Sequence, residues 1–66
     1  RKSKEFSRSL FIVEDVKEGD ILTSKNIRSI RPGYGLHPKY LNEVLNKKVS
    51  QNLSKGTPFK FEYLEA

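Results

Sequence analysis

The amino-acid sequence predicts a mostly β domain of short irregular strands with one short helix, and two observations carry that expectation. The first is punctuation. The longest uninterrupted apolar run is Leu10 to Val13, and turn residues recur at Gly19, Pro32, Gly33, Gly35, Pro38, Gly56 and Pro58, so apolar segments are cut to strand length. The second is an internal repeat. Shifted by 37 positions, Asp15 to Leu22 overlays Asn52 to Phe59. Ile12 falls on Val49, Val16 on Leu53, Gly19 on Gly56, Leu22 on Phe59 and Ile27 on Leu64. Two such strand–turn–strand units, related by an approximate two-fold, would bury a common core that neither could bury alone.

The elements follow in chain order. Ser9 to Glu14 is β-branched and aromatic, bounded by charge and too short for a helix, and is expected to be a strand. Asp15 to Asp20 turns at Gly19. Ile21 to Ile27 begins apolar and then offers Thr23 or Ser24 as the cap of one helical turn. Ile27-Arg28-Ser29-Ile30-Arg31 alternates with the period of a half-buried strand and stops at Pro32. Arg31-Pro32-Gly33-Tyr34-Gly35 reads as a type II turn, with proline presetting φ and Gly33 taking the positive φ that follows it. The helix is expected over residues 38–45. Pro38 suits its first position, Tyr40, Leu41, Val44 and Leu45 fall on one stripe, and Asn46 takes the left-handed cap. Lys47 to Ser50 is expected to be another strand.

Size and composition limit what the chain does alone. With 66 residues and no cysteine, methionine or tryptophan, it buries only about 60% of its unfolded surface, for a net stability of about 3–5 kcal/mol. Disulfides and cysteine-based zinc sites are excluded, and the composition fits a reducing compartment. No apolar run approaches the ~20 residues of a membrane span, and no signal-peptide core follows the basic start. A soluble, cytoplasmic domain is expected. The absence of an initiator methionine makes the chain read as a piece of a longer protein.

The net charge of +5 would suit a nucleic-acid partner if it were gathered on one face, but residues 1–8 alone carry +3 of it. They are expected to be a linker remnant, with the domain over residues 9–66. In the remainder the signs are interspersed, and no basic face with stacking side chains is visible. A nucleic-acid partner is therefore not expected.

No catalytic constellation stands out. His37 is more simply a helix cap than a base, and one histidine makes no metal site. Glu14, Asp15, Glu18 and Asp20 lack the spacing of a calcium loop and mix with Lys17, which fits a solvated charged turn. Gly33-Tyr34-Gly35 is too short for a phosphate loop. Arg31 is the candidate functional residue, because a planar donor fork on a stiff loop suits a carbonyl, carboxylate or phosphate. Pairing with a surface carboxylate is the other reading of the same residue.

Several spaced stretches then point to a family. Val16-Lys17-Glu18-Gly19-Asp20, Ile30-Arg31-Pro32-Gly33-Tyr34-Gly35-Leu36-His37-Pro38, Val44-Leu45-Asn46-Lys47-Lys48-Val49 and Leu53-Ser54-Lys55-Gly56-Thr57-Pro58 together resemble the C-terminal antifreeze-like (SAF) domain of the sialic acid synthases. The resemblance covers about residues 9–64. It implies the β-clip fold of the type III antifreeze proteins, with pseudo-two-fold symmetry. It also implies a parent enzyme that condenses phosphoenolpyruvate with an N-acyl hexosamine, such as N-acetylmannosamine or the related sugars leading to pseudaminic and legionaminic acids. In that family the chemistry lies in an N-terminal (β/α)8 barrel with a divalent metal, manganese or magnesium. The isolated domain is accordingly not an enzyme and holds no cofactor. The antifreeze-like domain caps the partner subunit's barrel in a domain-swapped homodimer, and the arginine of the Arg-Pro-Gly motif reaches the sugar's N-acyl group. On this chain the resemblance makes Arg31 the substrate-binding residue, with Tyr34, Gly35 and Leu36 along the same edge. Asn46 departs from the glycine expected there, but tolerates the same left-handed geometry. Two other roles remain. An SAF-type carbohydrate-binding or structural module of a pilus or flagellar assembly protein is one, though the Arg-Pro-Gly-x-Gly-Leu-His-Pro stretch favours the synthase. Ice binding is the other, and the 32% of charged residues argues against it.

Overall fold

A computed structural model describes residues 6–66. Residues 1–5, which make up most of the expected linker, lie outside the described residues. Two strands, β1 (Ser9–Ile12) and β2 (Ile27–Ile30), pair antiparallel, with Ser9 opposite Ile30 and Ile12 opposite Ile27. All four residues of β1 are buried. Leu10 and Ile12 join the core, while Ser9 and Phe11 alternate to the opposite face and are covered there too.

The rest of the β structure consists of single bridges, Phe11 with Pro58, Val16 with Leu53, Ile21 with Lys48 and Val49 with Leu64. These bridges realise the two-fold expected from the repeat. Moving each partner by 37 positions converts the Phe11–Pro58 bridge into Lys48–Ile21 and the Ile12–Ile27 pair into Val49–Leu64, and returns Val16–Leu53 to itself. Individual hydrogen bonds obey the same operation. The Ile12 amide donates to Thr57 O at 2.9 Å, and the Val49 amide to Asp20 O at 3.0 Å. Gly56 donates to Ile12 O at 2.7 Å, and Gly19 to Val49 O at 2.8 Å. Gly19 and Gly56 sit at φ of 90° and 95°, a conformation that penalises any residue with a Cβ.

The core repeats the pairing in its side chains. Ile12 and Val49, Val16 and Leu53, and Leu22 and Phe59 are all buried, and Ile27 is buried while its counterpart Leu64 is half-buried and packs on the core. Each fully buried large side chain contributes about 1.5–3 kcal/mol relative to exposure. Every pair combines one residue from each half, so the halves share one core.

The short helix expected over residues 38–45 is present with a difference in detail, and two other local expectations need correction. The helix is shorter and tighter at its start: residues Pro38–Tyr40 form a 3-10 turn, and only α1 (Leu41–Val44) is α-helical. Its inward residue Val44 is buried, and Asn46 closes it at φ 72°. Lys47 to Ser50 is not a continuous strand. Its β pairing is limited to the two bridges at Lys48 and Val49, each to a different partner, so no extended ladder forms. Arg31 to Gly35 turns, but not as a type II turn. The Arg31–Pro32 peptide is cis, and the glycines at positive φ are Gly19 and Gly56 rather than Gly33.

Candidate functional site

The repeat accounts for residues 9–29 and 46–66, and the connection between them, residues 30–45, has no counterpart under the shift. That connection carries all four residues singled out by sequence. β2 ends at Ile30, and the chain then crosses back over the end of β1. Leu36 donates to Phe59 O at 2.9 Å and accepts from the Leu10 amide at 2.9 Å, so it lies between β1 and the second half of the chain. Gly35 precedes it at a very close crossing. A Cβ there would collide with the Leu10 carbonyl oxygen and come within 2.9 Å of the Phe59 nitrogen.

The second anchor is Ser9, which sequence reasoning did not single out. It is 1% exposed. Its hydroxyl donates to Pro32 O at 2.7 Å and accepts from the Gly35 amide at 2.9 Å. A lone serine at a strand's start reads as an edge residue. Nothing in its neighbours' identities signals that a loop 23 residues further on covers it.

The four expected site residues therefore divide into two pairs. Gly35 and Leu36 are anchors, and the Leu36 side chain packs against the core. Arg31 is exposed, and Tyr34 is 49% exposed. The Arg31 Nε donates to Phe6 O at 3.3 Å, and Arg8 Nη1 donates to Ser29 O at 3.2 Å, so the segment leading into β1 lies alongside the end of β2. The Arg31 guanidinium is thus borne on a loop whose two ends are fixed, with a half-exposed phenol three residues away.

The other candidates take structural roles. His37 Nδ1 accepts from the Lys39 amide at 3.0 Å, with Pro38 at the first position of the turn, as expected of a cap. Asp15 Oδ1 accepts from the Lys55 amide at 2.7 Å, and Asp20 Oδ2 from the Lys17 amide at 2.8 Å. Among the described residues no group of three histidine or carboxylate side chains is placed to hold a metal ion. An open hollow of about 350 Å³, lined by Asp15, Val16, Lys17, Asn52, Leu53 and Ser54, sits over the pseudo-two-fold axis and shares no residue with the loop. No helix among the described residues is long and apolar enough to cross a membrane.

Interlocked half-repeats joined by one anchored, asymmetric loop define an antifreeze-like domain. The chain superposes on the solution structure of an antifreeze protein like domain in human N-acetylneuraminic acid phosphate synthase with a TM-score of 0.81, over 91% of this chain and 77% of that one, at 21% identity; this is a likeness of fold. The chain belongs to the SAF domain family, whose pattern matches residues 7–65. It is 42% identical over 64 residues to the pseudaminic acid synthase of Helicobacter pylori, a match covering 97% of this chain and 19% of that protein. It is also 42% identical over 59 residues to the pseudaminic acid synthase of Campylobacter jejuni serotype O:23/36, covering 89% of this chain and 17% of that protein. Identity is 30% over 59 residues to the N,N'-diacetyllegionaminic acid synthase of Legionella pneumophila, covering 89% and 17%. The chain therefore spans less than a fifth of the length of these synthases.

Proposed function

We propose that this domain caps the active site of a sialic acid synthase of the pseudaminic type, donating Arg31 to the N-acyl group of the sugar that condenses with phosphoenolpyruvate. The observation that carries the reading is the exposure of Arg31 on a loop anchored at both ends, in a domain 42% identical to pseudaminic acid synthases against 30% for a legionaminic acid synthase. The same difference favours the pseudaminic acid precursor over the legionaminic acid precursor as the sugar. The parent works in the cytoplasm. Its catalytic barrel and divalent metal lie outside this chain, in which Asp15 and Asp20 serve as turn caps.

The chemistry asked of the domain is positioning and exclusion of water. A guanidinium presents a planar fork of donors to a carbonyl oxygen and stays charged at any working pH. Offered from a loop that is already ordered, it orients the sugar at little entropic cost. Covering the barrel of the partner subunit in a homodimer displaces water and strengthens each electrostatic contact beneath. Gly35 and Leu36 hold the loop, and Tyr34 flanks the sugar.

The test is steady-state kinetics of the full-length synthase carrying Arg31→Ala, with the pseudaminic acid precursor and with N-acetylmannosamine. Loss of a charge-assisted hydrogen bond of about 2 kcal/mol predicts a fall of roughly thirtyfold in kcat/KM for the sugar, with the KM for phosphoenolpyruvate unchanged. Unaltered sugar kinetics in a folded variant would refute the assignment.

A further inference from the structure

We propose that Ser9 is a positioning residue that sets the reach of Arg31; this inference rests on the capping role assigned above. Ser9 is the buried polar side chain of a strand whose other three residues, Leu10, Phe11 and Ile12, are apolar. Its backbone is paired with Ile30 across the β1–β2 register. Its hydroxyl donates to Pro32 O at 2.7 Å and accepts from the Gly35 amide at 2.9 Å. The residues on either side of Arg31 are thus both tied to Ser9, one through the main chain and one through the side chain. The same oxygen also fixes the far end of the tip at Gly35.

A hydroxyl is the smallest side-chain group that donates and accepts at once, and both capacities are used here. Alanine removes both bonds, and cysteine keeps the volume with only a weak donor and a weak acceptor. The fold has other supports at this point. Leu36 remains bonded to Phe59 and Leu10, and β2 remains paired with β1. Loss of the hydroxyl therefore loosens residues 31–35 without releasing residue 36 or the core. The expected consequence is an arginine that is present but poorly placed, because tight positioning of a binding group depends on the shell that holds it.

The experiment is a double-mutant cycle in the full-length synthase with phosphoenolpyruvate and the pseudaminic acid precursor sugar. Ser9→Ala is expected to raise the sugar KM about tenfold, with the KM for phosphoenolpyruvate unchanged and kcat reduced less than about threefold. Ser9→Cys, which fills the space, is expected to behave like Ser9→Ala. In an Arg31→Ala background, Ser9→Ala is expected to have no further effect, because the residue it positions is gone. Exchange of the Gly35 amide in the full-length protein should accelerate in both Ser9 variants, a readout independent of turnover. Wild-type sugar KM in Ser9→Ala or in Ser9→Cys, or full additivity with Arg31→Ala, would overturn the inference. Ser9→Ala that fails to fold would overturn it as well, since the serine would then be holding the core. If Arg31→Ala is itself normal, the capping assignment fails. If Arg31→Ala is impaired while Ser9→Ala is normal, only the role of Ser9 is lost.

Discussion

Val16 and Leu53 exchange two backbone hydrogen bonds, each amide donating to the other's carbonyl at 2.9 Å. Each is the other's counterpart in the repeat, so the pseudo-two-fold axis passes between them. Both side chains are buried, at 3% and 5% exposure, so the bridge that lies on the axis is also part of the shared core. Leu53→Ala removes three carbons from the shared core and is expected to cost about 2–5 kcal/mol, comparable with the stability of a domain this small. Urea denaturation should find the variant largely unfolded, with Val16→Ala milder because it removes less.

The turns flanking that axis are held reciprocally. Asp15 accepts from the Lys55 amide at 2.7 Å, and Asn52 accepts from the Glu18 amide at 2.8 Å. Each half thereby caps the glycine turn of the other. Asp15→Ala and Asn52→Ala are expected to lose similar amounts, about 1 kcal/mol each, since both bonds are exposed and neutralised in part by water. Asp15→Asn, which retains the accepting oxygen, should be within about 0.5 kcal/mol of wild type by thermal denaturation.

Glycine is needed for two different reasons, and substitution separates them. At Gly56 there is open space around a new Cβ, but φ is 95°, so Gly56→Ala costs about 1–2 kcal/mol of backbone strain. At Gly35 the obstruction is the backbone of Leu10 and Phe59, which cannot swing aside as a side chain would. Gly35→Ala is expected to cost about 3 kcal/mol, at the upper end of overpacking penalties. A melting comparison of the two variants should rank them in that order.

Charge alone is not expected to replace Arg31. Lysine offers a point charge on a flexible stem in place of a planar fork. Arg31→Lys in the full-length synthase should leave kcat/KM for the sugar at least about tenfold below wild type, with the melting temperature unchanged. Recovery to wild-type turnover would mean that the guanidinium geometry is irrelevant.

The repeat was legible in the sequence because it is written in residue types that the fold uses at fixed places, such as Gly19 with Gly56 and Leu22 with Phe59. The bridges it implies were not, since pairing Phe11 with Pro58 depends on how the two halves cross. The exposed loop position of Arg31 was legible from its neighbours Pro32 and Gly33, but the source of the loop's rigidity was not. That source is Ser9 and the crossing at Gly35, set by contacts distant in the chain, rather than the left-handed Gly33 that the local pattern suggests. His37 and Asn46 fell where expected because caps are local.

The crossed pairing of the halves also governs how the domain comes into being. Ile12 bonds to Thr57 and Leu10 to Phe59, while Val49 bridges Leu64, so the first strand has no complete set of partners until Phe59 is available. Pairings of such long sequence separation close slowly and together. A truncation before Phe59 leaves Leu10 without its partner and Leu22 without its counterpart, and no smaller unit survives. Evolution, proteolysis or a premature stop therefore acts on this domain as a whole. A protein that bears it has either the complete domain or none.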